Sequence, residues 1–247
     1  LGKINRMERI ERVRTLSVTN DLILVMYALF VTEDFLDVTM FHIQWPEYFH
    51  QALMIVMSML LIVKLLLTCS YKMADMIAMT VFVGVFLMAR VVSGYVVLAD
   101  VLLLLLALKG IPFCRIVKVY FATVSFLLIV TIIASQVGII DNLVYHFSER
   151  RERRAFGVCY PTDFAAFFVW LSFSWVYIRK EKLRFVEIGM VSLAGFGIWY
   201  FCDARLSSAI LFMSAILFLG VKVWRKKTEN RDVAAIKTKI FNGVQNA

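Results

Sequence analysis

The chain is 247 residues long, 61% hydrophobic and rich in Phe (21 residues), with a mean hydropathy of +0.79 and a formal net charge of +9. Soluble domains carry roughly 45–50% apolar residues, so this composition excludes a water-soluble globular enzyme and specifies an integral membrane protein. The positive charge is of the kind that fixes membrane orientation and meets anionic lipid, and it does not argue for a nucleic-acid partner.

The N-terminal segment is mostly polar and carries Lys3, Arg6, Arg9, Arg12 and Arg14. The apolar run that follows lacks a small-residue cleavage site, so it is expected to stay in the membrane rather than leave as a signal peptide. Stretches close to the roughly 17–25 residues that cross a bilayer recur at 16–32, 48–67, 73–88, 92–108, 116–137, 164–178, 186–201 and 207–223. Only three Pro interrupt the whole chain, and in lipid the α-helix satisfies its own backbone groups. The expected fold class is all-α, a polytopic helical membrane protein of about eight transmembrane helices in a single domain over residues 1–247.

Charge gives the orientation. The connection after the first span holds Glu33, Asp34, Asp37 and Glu47 without Lys or Arg, which sets the N-terminus in the cytoplasm. Alternating spans then put Lys72, Lys109, Arg115, Lys118, Arg179, Lys180, Lys182, Arg184 and the basic cluster from Arg225 to Arg231 on that same side, so both termini are expected to be cytoplasmic. Residues 138–163 break the pattern: this outer loop contains Arg150, Arg151, Arg153 and Arg154, where basic residues are normally scarce. The chain begins at Leu1 rather than Met, and residues 231–247 place Val233, Ile236, Ile240 and Phe241 near one helical face before the sequence stops. From these two features we expect the N-terminal part of a longer protein.

Within the outer loop, Ile140, Leu143, Val144 and Phe147 recur at i, i+3, i+4 and i+7, the spacing of a short amphipathic helix at the interface. Two further turns would group Arg150, Arg153 and Arg154 on one face. Guanidinium groups held together suit a polyanion such as a lipid-linked pyrophosphate, because each is a planar fork of donors that stays charged. The competing reading is a solvated face in which Glu149 pairs with Arg153, a contact worth about 0.2–0.5 kcal/mol. Between the last two spans, Asp203 and Arg205 put a carboxylate and a guanidinium on the same face as the arginine loop, followed by Ser207 and Ser208.

Several other polar residues require a reading. Asp100 lies midway along the fourth expected span and Arg90 at its outer entrance; each is a candidate because ionisable groups in lipid are costly, and a structural Arg–Asp tie is the simpler account. Lys64 is expected to snorkel from the second span. No ligand spacing links His42, His50 and His146, so no metal site and no cofactor are expected. Cys159 and Cys202 sit beside the two outer motifs, either as a disulfide or as two small apolar residues at helix ends.

The run Arg153-Arg154-Ala155-Phe156-Gly157-Val158-Cys159-Tyr160-Pro161-Thr162, followed two spans later by Asp203-Ala204-Arg205-Leu206-Ser207, resembles the bacterial Wzy-type polysaccharide polymerases and the related O-antigen ligases. Their pattern is approximately Arg-x-x-aromatic or Leu-Gly-x-x-His-Pro-Asn, then a Ser-Arg-Thr-like turn. The resemblance covers about residues 115–225. This chain has Tyr160 and Thr162 where the family often has His and Asn, and Ala204 where it has Ser, so a histidine's proton transfer is missing while a stacking or hydrogen-bonding role for Tyr160 survives. The family also carries a further large outer loop downstream, which this sequence does not include.

The resemblance implies a multi-pass protein of the bacterial plasma membrane. It implies a glycosyltransferase that joins undecaprenyl-diphosphate-linked repeat units into O-antigen, capsular or exopolysaccharide at the outer face. Partners would be the lipid-linked oligosaccharide, membrane lipid, and the flippase and chain-length regulator of the pathway. Arg153, Arg205 and Asp203 would then be catalytic, and Arg150, Arg154, Gly157, Tyr160 and Arg90 would bind substrate. The general base stays open between Asp203 and His146. The alternative is a transporter or flippase for an anionic lipid-linked substrate, in which the arginine loop is an entrance and Arg90 with Asp100 line a path.

Overall fold

A computed structural model describes the chain apart from residues 1, 42, 44, 68–72, 94–96, 147–151 and 246–247. Among the described residues it is helical, with α1 (Gly2–Asp37), α2 (Glu47–Leu67), α3 (Met73–Ser93), α4 (Val97–Leu108), α5 (Phe113–Val137), α6 (Pro161–Arg179), α7 (Phe185–Cys202) and α8 (Arg205–Gln245). The remaining regular structure among these residues is a two-stranded antiparallel ladder of β1 (Val144–Tyr145) and β2 (Arg153–Arg154) and a short 3-10 turn at Lys180–Lys182. Each of the eight apolar stretches is helical over its described residues. Five of the helices are long and apolar enough to cross a membrane. Only between 17% and 33% of each of those apolar windows is covered by the rest of the chain, so the apolar surface left open has to meet lipid or protein. The protein is an all-helical membrane protein.

The chain divides into two compact units, Leu1–Val130 and Thr131–Ala247, the boundary falling within α5. In the first unit, Ile23, Leu24 and Phe30 of α1 pack with Leu53 and Met57 of α2, Ala107 of α4 and Ile111 beyond it. Of the 92–108 span expected there, α4 covers the 12 residues Val97–Leu108, and residues 94–96 before it lie outside the described residues. Asp100 stands in the first turn of α4. Lys64 differs from expectation. Instead of snorkelling it is buried, and its ammonium donates to the Ala107 carbonyl at 2.7 Å, because the last carbonyls of α4 lack helical partners and accept a cation.

In the second unit α7 and α8 form a close antiparallel pair. Gly195 allows the approach, and the buried Ser208 hydroxyl donates to the Gly195 carbonyl at 2.8 Å, a small-residue crossing of the kind used in membranes. Ser208 therefore serves packing. At the other end of α7, Glu187 accepts from the Arg184 backbone N–H (2.6 Å) and from Arg179 Nε (2.7 Å), closing the turn that links α6 through Lys180–Lys182 to α7.

Candidate functional site

The segment between α5 and α6 is where the structure departs most from the expected interfacial helix. α5 ends at Val137, Gly138 takes φ +81°, and the chain then extends through β1 and returns as β2 with Tyr145 opposite Arg153 and Val144 opposite Arg154. The helical spacing of Ile140, Leu143 and Val144 is real, but the tertiary contacts of an extended chain outweigh it. The Ala155 N–H donates to the Leu143 carbonyl, the Phe156 N–H to Asn142 Oδ1, and the Tyr145 hydroxyl to the Cys159 carbonyl at 2.7 Å. Arg153 and Arg154 therefore lie on a strand and not on a helical face. Arg153 and Arg154 are consecutive on a strand and project to opposite sides, the first half-buried and the second exposed. Arg150, Glu149 and Phe147 lie outside the described residues.

The half-buried side is the informative one. Arg153 Nε donates to the Cys202 carbonyl at 2.8 Å, in the last turn of α7. Helix C-termini leave carbonyls without intrahelical N–H donors and carry partial negative charge, so a guanidinium there is favourable by charge and by hydrogen bonding. This bond joins the arginine segment to the α7–α8 turn, forty-nine positions away in sequence. In that turn Asp203 adopts a left-handed conformation (φ 47°, ψ 33°), which ends the helix. Its carboxylate is largely covered, and it accepts from the exposed Arg205 Nε at 3.3 Å, a pair of the surface type worth about 0–1 kcal/mol. Arg153, Asp203 and Arg205 thus share one end of the α7–α8 pair. Cys202 is buried and both it and Cys159 are free thiols, which corresponds to the small apolar reading and not to a disulfide.

Phe156 and Gly157 turn the chain from β2 into α6 with positive φ at both (51° and 86°). Gly157 is buried against α5, and a Cβ there would come within 3.0 Å of Ser135 and Thr131 and within 2.8 Å of Ile140. Its role in the structure is this close approach, which lets Phe156 pack on Phe164 and Phe201. Tyr160, which precedes the Pro-initiated α6, is exposed and lies nearly parallel to Tyr145, with ring centroids 6.2 Å apart. His146 pairs with Glu152 at 3.5 Å, both exposed. The Arg90 side chain lies outside the described residues, and Asp100 is tied elsewhere, to His50.

Sequence reasoning did not single out Asn142, Tyr145 or Asp163. Asp163 stands in the first turn of α6, and burial raises its carboxyl above the ordinary value of 3.8. Burial and the Asp163 charge push the Cys159 thiol up, and burial, Tyr160, Cys159 and Asp163 do the same to the Tyr145 phenol, so both stay neutral donors. The only signal for Asp163 was an acid just after Pro161, a common helix start. Because the folded state holds the Asp163 proton more firmly than the unfolded chain, this group favours the folded state most at low pH, and its contribution is lost as pH rises through the raised value. Thermal unfolding of the purified protein across the acid range is expected to register that decline in the wild type and a flatter profile in Asp163→Asn; identical profiles would discount the burial.

Comparison with known proteins finds no family model, no curated protein and no solved structure that matches this chain.

Proposed function

We propose that the chain belongs to a glycan polymerase that transfers a growing saccharide from undecaprenyl diphosphate to a hydroxyl of the next lipid-linked repeat unit. In this reading all eight helices are membrane segments, both termini are cytoplasmic, and the β1–β2 segment and the α7–α8 turn face outward from a bacterial plasma membrane. The observation that carries the proposal is the Arg153–Cys202 hydrogen bond, which gathers Arg153, Asp203 and Arg205 at one end of α7 and α8. Arg205 keeps an exposed side chain there, and Arg154, on the other face of β2, is exposed as well.

The chemistry suits those residue types. The bond from the anomeric carbon to the phosphate oxygen breaks, its electron pair leaves on the pyrophosphate, and the acceptor oxygen bonds to the anomeric carbon as its proton departs. Negative charge on the leaving group grows in the transition state, so fixed cations stabilise that state more than the ground state. Arg153 is held by a backbone carbonyl and is pre-positioned, Arg205 is oriented by Asp203, and Arg154 with Arg150 would extend the cationic surface. Tyr160, backed by Tyr145, offers an aromatic face for a sugar ring. Asp203 or His146 takes the acceptor proton. A transporter or flippase for an anionic lipid-linked substrate is the second reading, and what favours it is the group of ionisable side chains on the apolar helices of the first unit, Glu33, His50 and Asp100.

The test is complementation of a strain that lacks the polymerase of the same polysaccharide pathway, using the full-length gene and its Arg153→Ala and Arg205→Ala variants, with glycan length read on a gel. We expect the wild type to restore long chains and both variants to leave single lipid-linked repeats accumulating outside, with normal membrane insertion. Normal chain length in both variants would remove the arginine site from consideration, and repeats trapped inside would favour the flippase.

A further inference from the structure

Outside the arginine region, one group of ionisable residues is brought together by folding alone. His50, near the start of α2, lies with Nδ1 at 3.1 and 3.2 Å from the two carboxylate oxygens of Glu33 on α1, and with Nε2 at 3.2 Å from Asp100 Oδ2 on α4. The Glu33 and Asp100 side chains are only 7% and 14% exposed, the imidazole 40%. Phe30 closes one side, its ring edge-on to the imidazole at 5.9 Å. The other described ionisable neighbours from the packed helices are also acidic: Asp34 interacts with Glu33, His50 and Asp100, and Asp37 with Asp34. These side chains are not arranged to hold a metal ion.

The geometry limits the protonation state. A neutral imidazole has one N–H and one lone pair, so it can donate to one carboxylate and must turn a lone pair toward the other. An imidazolium donates to both, and its charge offsets two carboxylates held at the edge of an apolar helix group, where such interactions are stronger than in water. Loss of that proton leaves a carboxylate facing a lone pair in a poorly solvated place, which is the costly case for buried charges. Three separate helices meet at this imidazole, so the cost falls on their packing.

We propose that Glu33, His50 and Asp100 form a proton-binding site whose doubly protonated imidazole ties α1, α2 and α4 together, making the packing of the first unit responsive to pH. The ligand is the proton, and the response is a loosening of the three helices when it leaves. This inference is independent of the arginine site, since it concerns only side chains of the first unit.

The test uses the whole chain purified in detergent or nanodiscs, with nitrogen-15 in its three His. Both ring nitrogens of His50 are expected to give the imidazolium pattern at neutral pH and to change to the neutral pattern together as pH rises. Thermal stability is expected to fall over the same interval, because the folded state holds a proton that the unfolded chain releases. Asp100→Asn removes one negative charge and lets its amide donate to the Nε2 lone pair of a neutral imidazole whose Nδ1–H stays bonded to Glu33, and is expected to shrink that step in stability; His50→Gln helps assign the signals and is a second variant, without the step. One protonated and one bare ring nitrogen at neutral pH in the wild type would overturn the proposal, as would a stability step that persists unchanged in Asp100→Asn. The imidazolium pattern is read in the wild type and assigned to His50 by elimination with His42→Gln and His146→Gln, so it stands even where His50→Gln or Asp100→Asn fails to fold.

Discussion

Gly157→Ala is expected to lower the thermal stability of the protein far more than Gly138→Ala, although both glycines have almost the same backbone conformation, with φ of +86° and +81°. A side chain in this left-handed region costs about 1–2 kcal/mol, and at Gly138, where an added Cβ meets nothing within 4 Å, that is the whole cost. At Gly157 the Cβ would also press on Ile140 Cδ1 at 2.8 Å, and on Ser135 Cβ and Thr131 Cγ2 at 3.0 Å. The tip of Ile140 can move, but the other two atoms sit close to the α5 backbone. Overpacking of this kind adds about 1–3 kcal/mol, so the Gly157 variant should lose several kcal/mol in all, read as a depressed unfolding temperature of the purified protein. Since Gly157 sits between Arg153 and Tyr160, that variant should also fail in the complementation assay. Equal losses at the two glycines would mean that the turn into α6 is not pressed against α5.

The second large effect is expected at the α7–α8 crossing. Gly195→Leu should separate the two helices, whereas Gly197→Leu, two residues on, should be mildly stabilising. A Cβ on Gly195 would meet Leu211 Cβ at 3.1 Å and the Ser208 carbonyl at 3.5 Å, whereas nothing lies within 4 Å of one on Gly197. A leucine at Gly195 therefore drives α8 away, breaks the Ser208–Gly195 hydrogen bond and disturbs the turn holding Asp203 and Arg205. The cost is about 1–3 kcal/mol or more, against a helix-propensity gain of about 1 kcal/mol that is the main term at Gly197. Unfolding temperatures of the pair measure the difference, and a Gly195 variant as stable as the Gly197 variant would show that the crossing does not depend on the small residue.

The local problem of the arginine loop illustrates why sequence periodicity has limits. Ile140, Leu143 and Val144 have helical spacing, yet the hydrogen bonds to Asn142 Oδ1, to the Leu143 carbonyl and from Tyr145 select an extended chain. None of those partners can be found from a pattern of apolar positions, because each depends on where the chain returns from β2. The same holds for His50: it sits 17 positions from Glu33 and 50 from Asp100 in sequence, and a scan for ligand or catalytic spacing finds no relation among them. What could be noticed in advance was only that ionisable residues on apolar helices are costly, as with Asp100.

Composition and the lengths of the apolar stretches determined, without any coordinates, that this is a helical membrane protein and where its apolar helices lie, because each helix in lipid closes its own backbone hydrogen bonds and needs no partner to be specified. They also identified Arg153, Asp203 and Arg205 as residues to examine, since charge at such positions is conspicuous in an apolar chain. The tertiary structure alone decided that Arg153 reaches the end of α7, that Asp100 binds His50, that Lys64 is buried on α4, and that Gly157 and Gly195 are points of close approach. Those outcomes depend on pairs of surfaces distant in sequence, and hydropathy, which scores each segment by itself, carries no term for which surfaces meet.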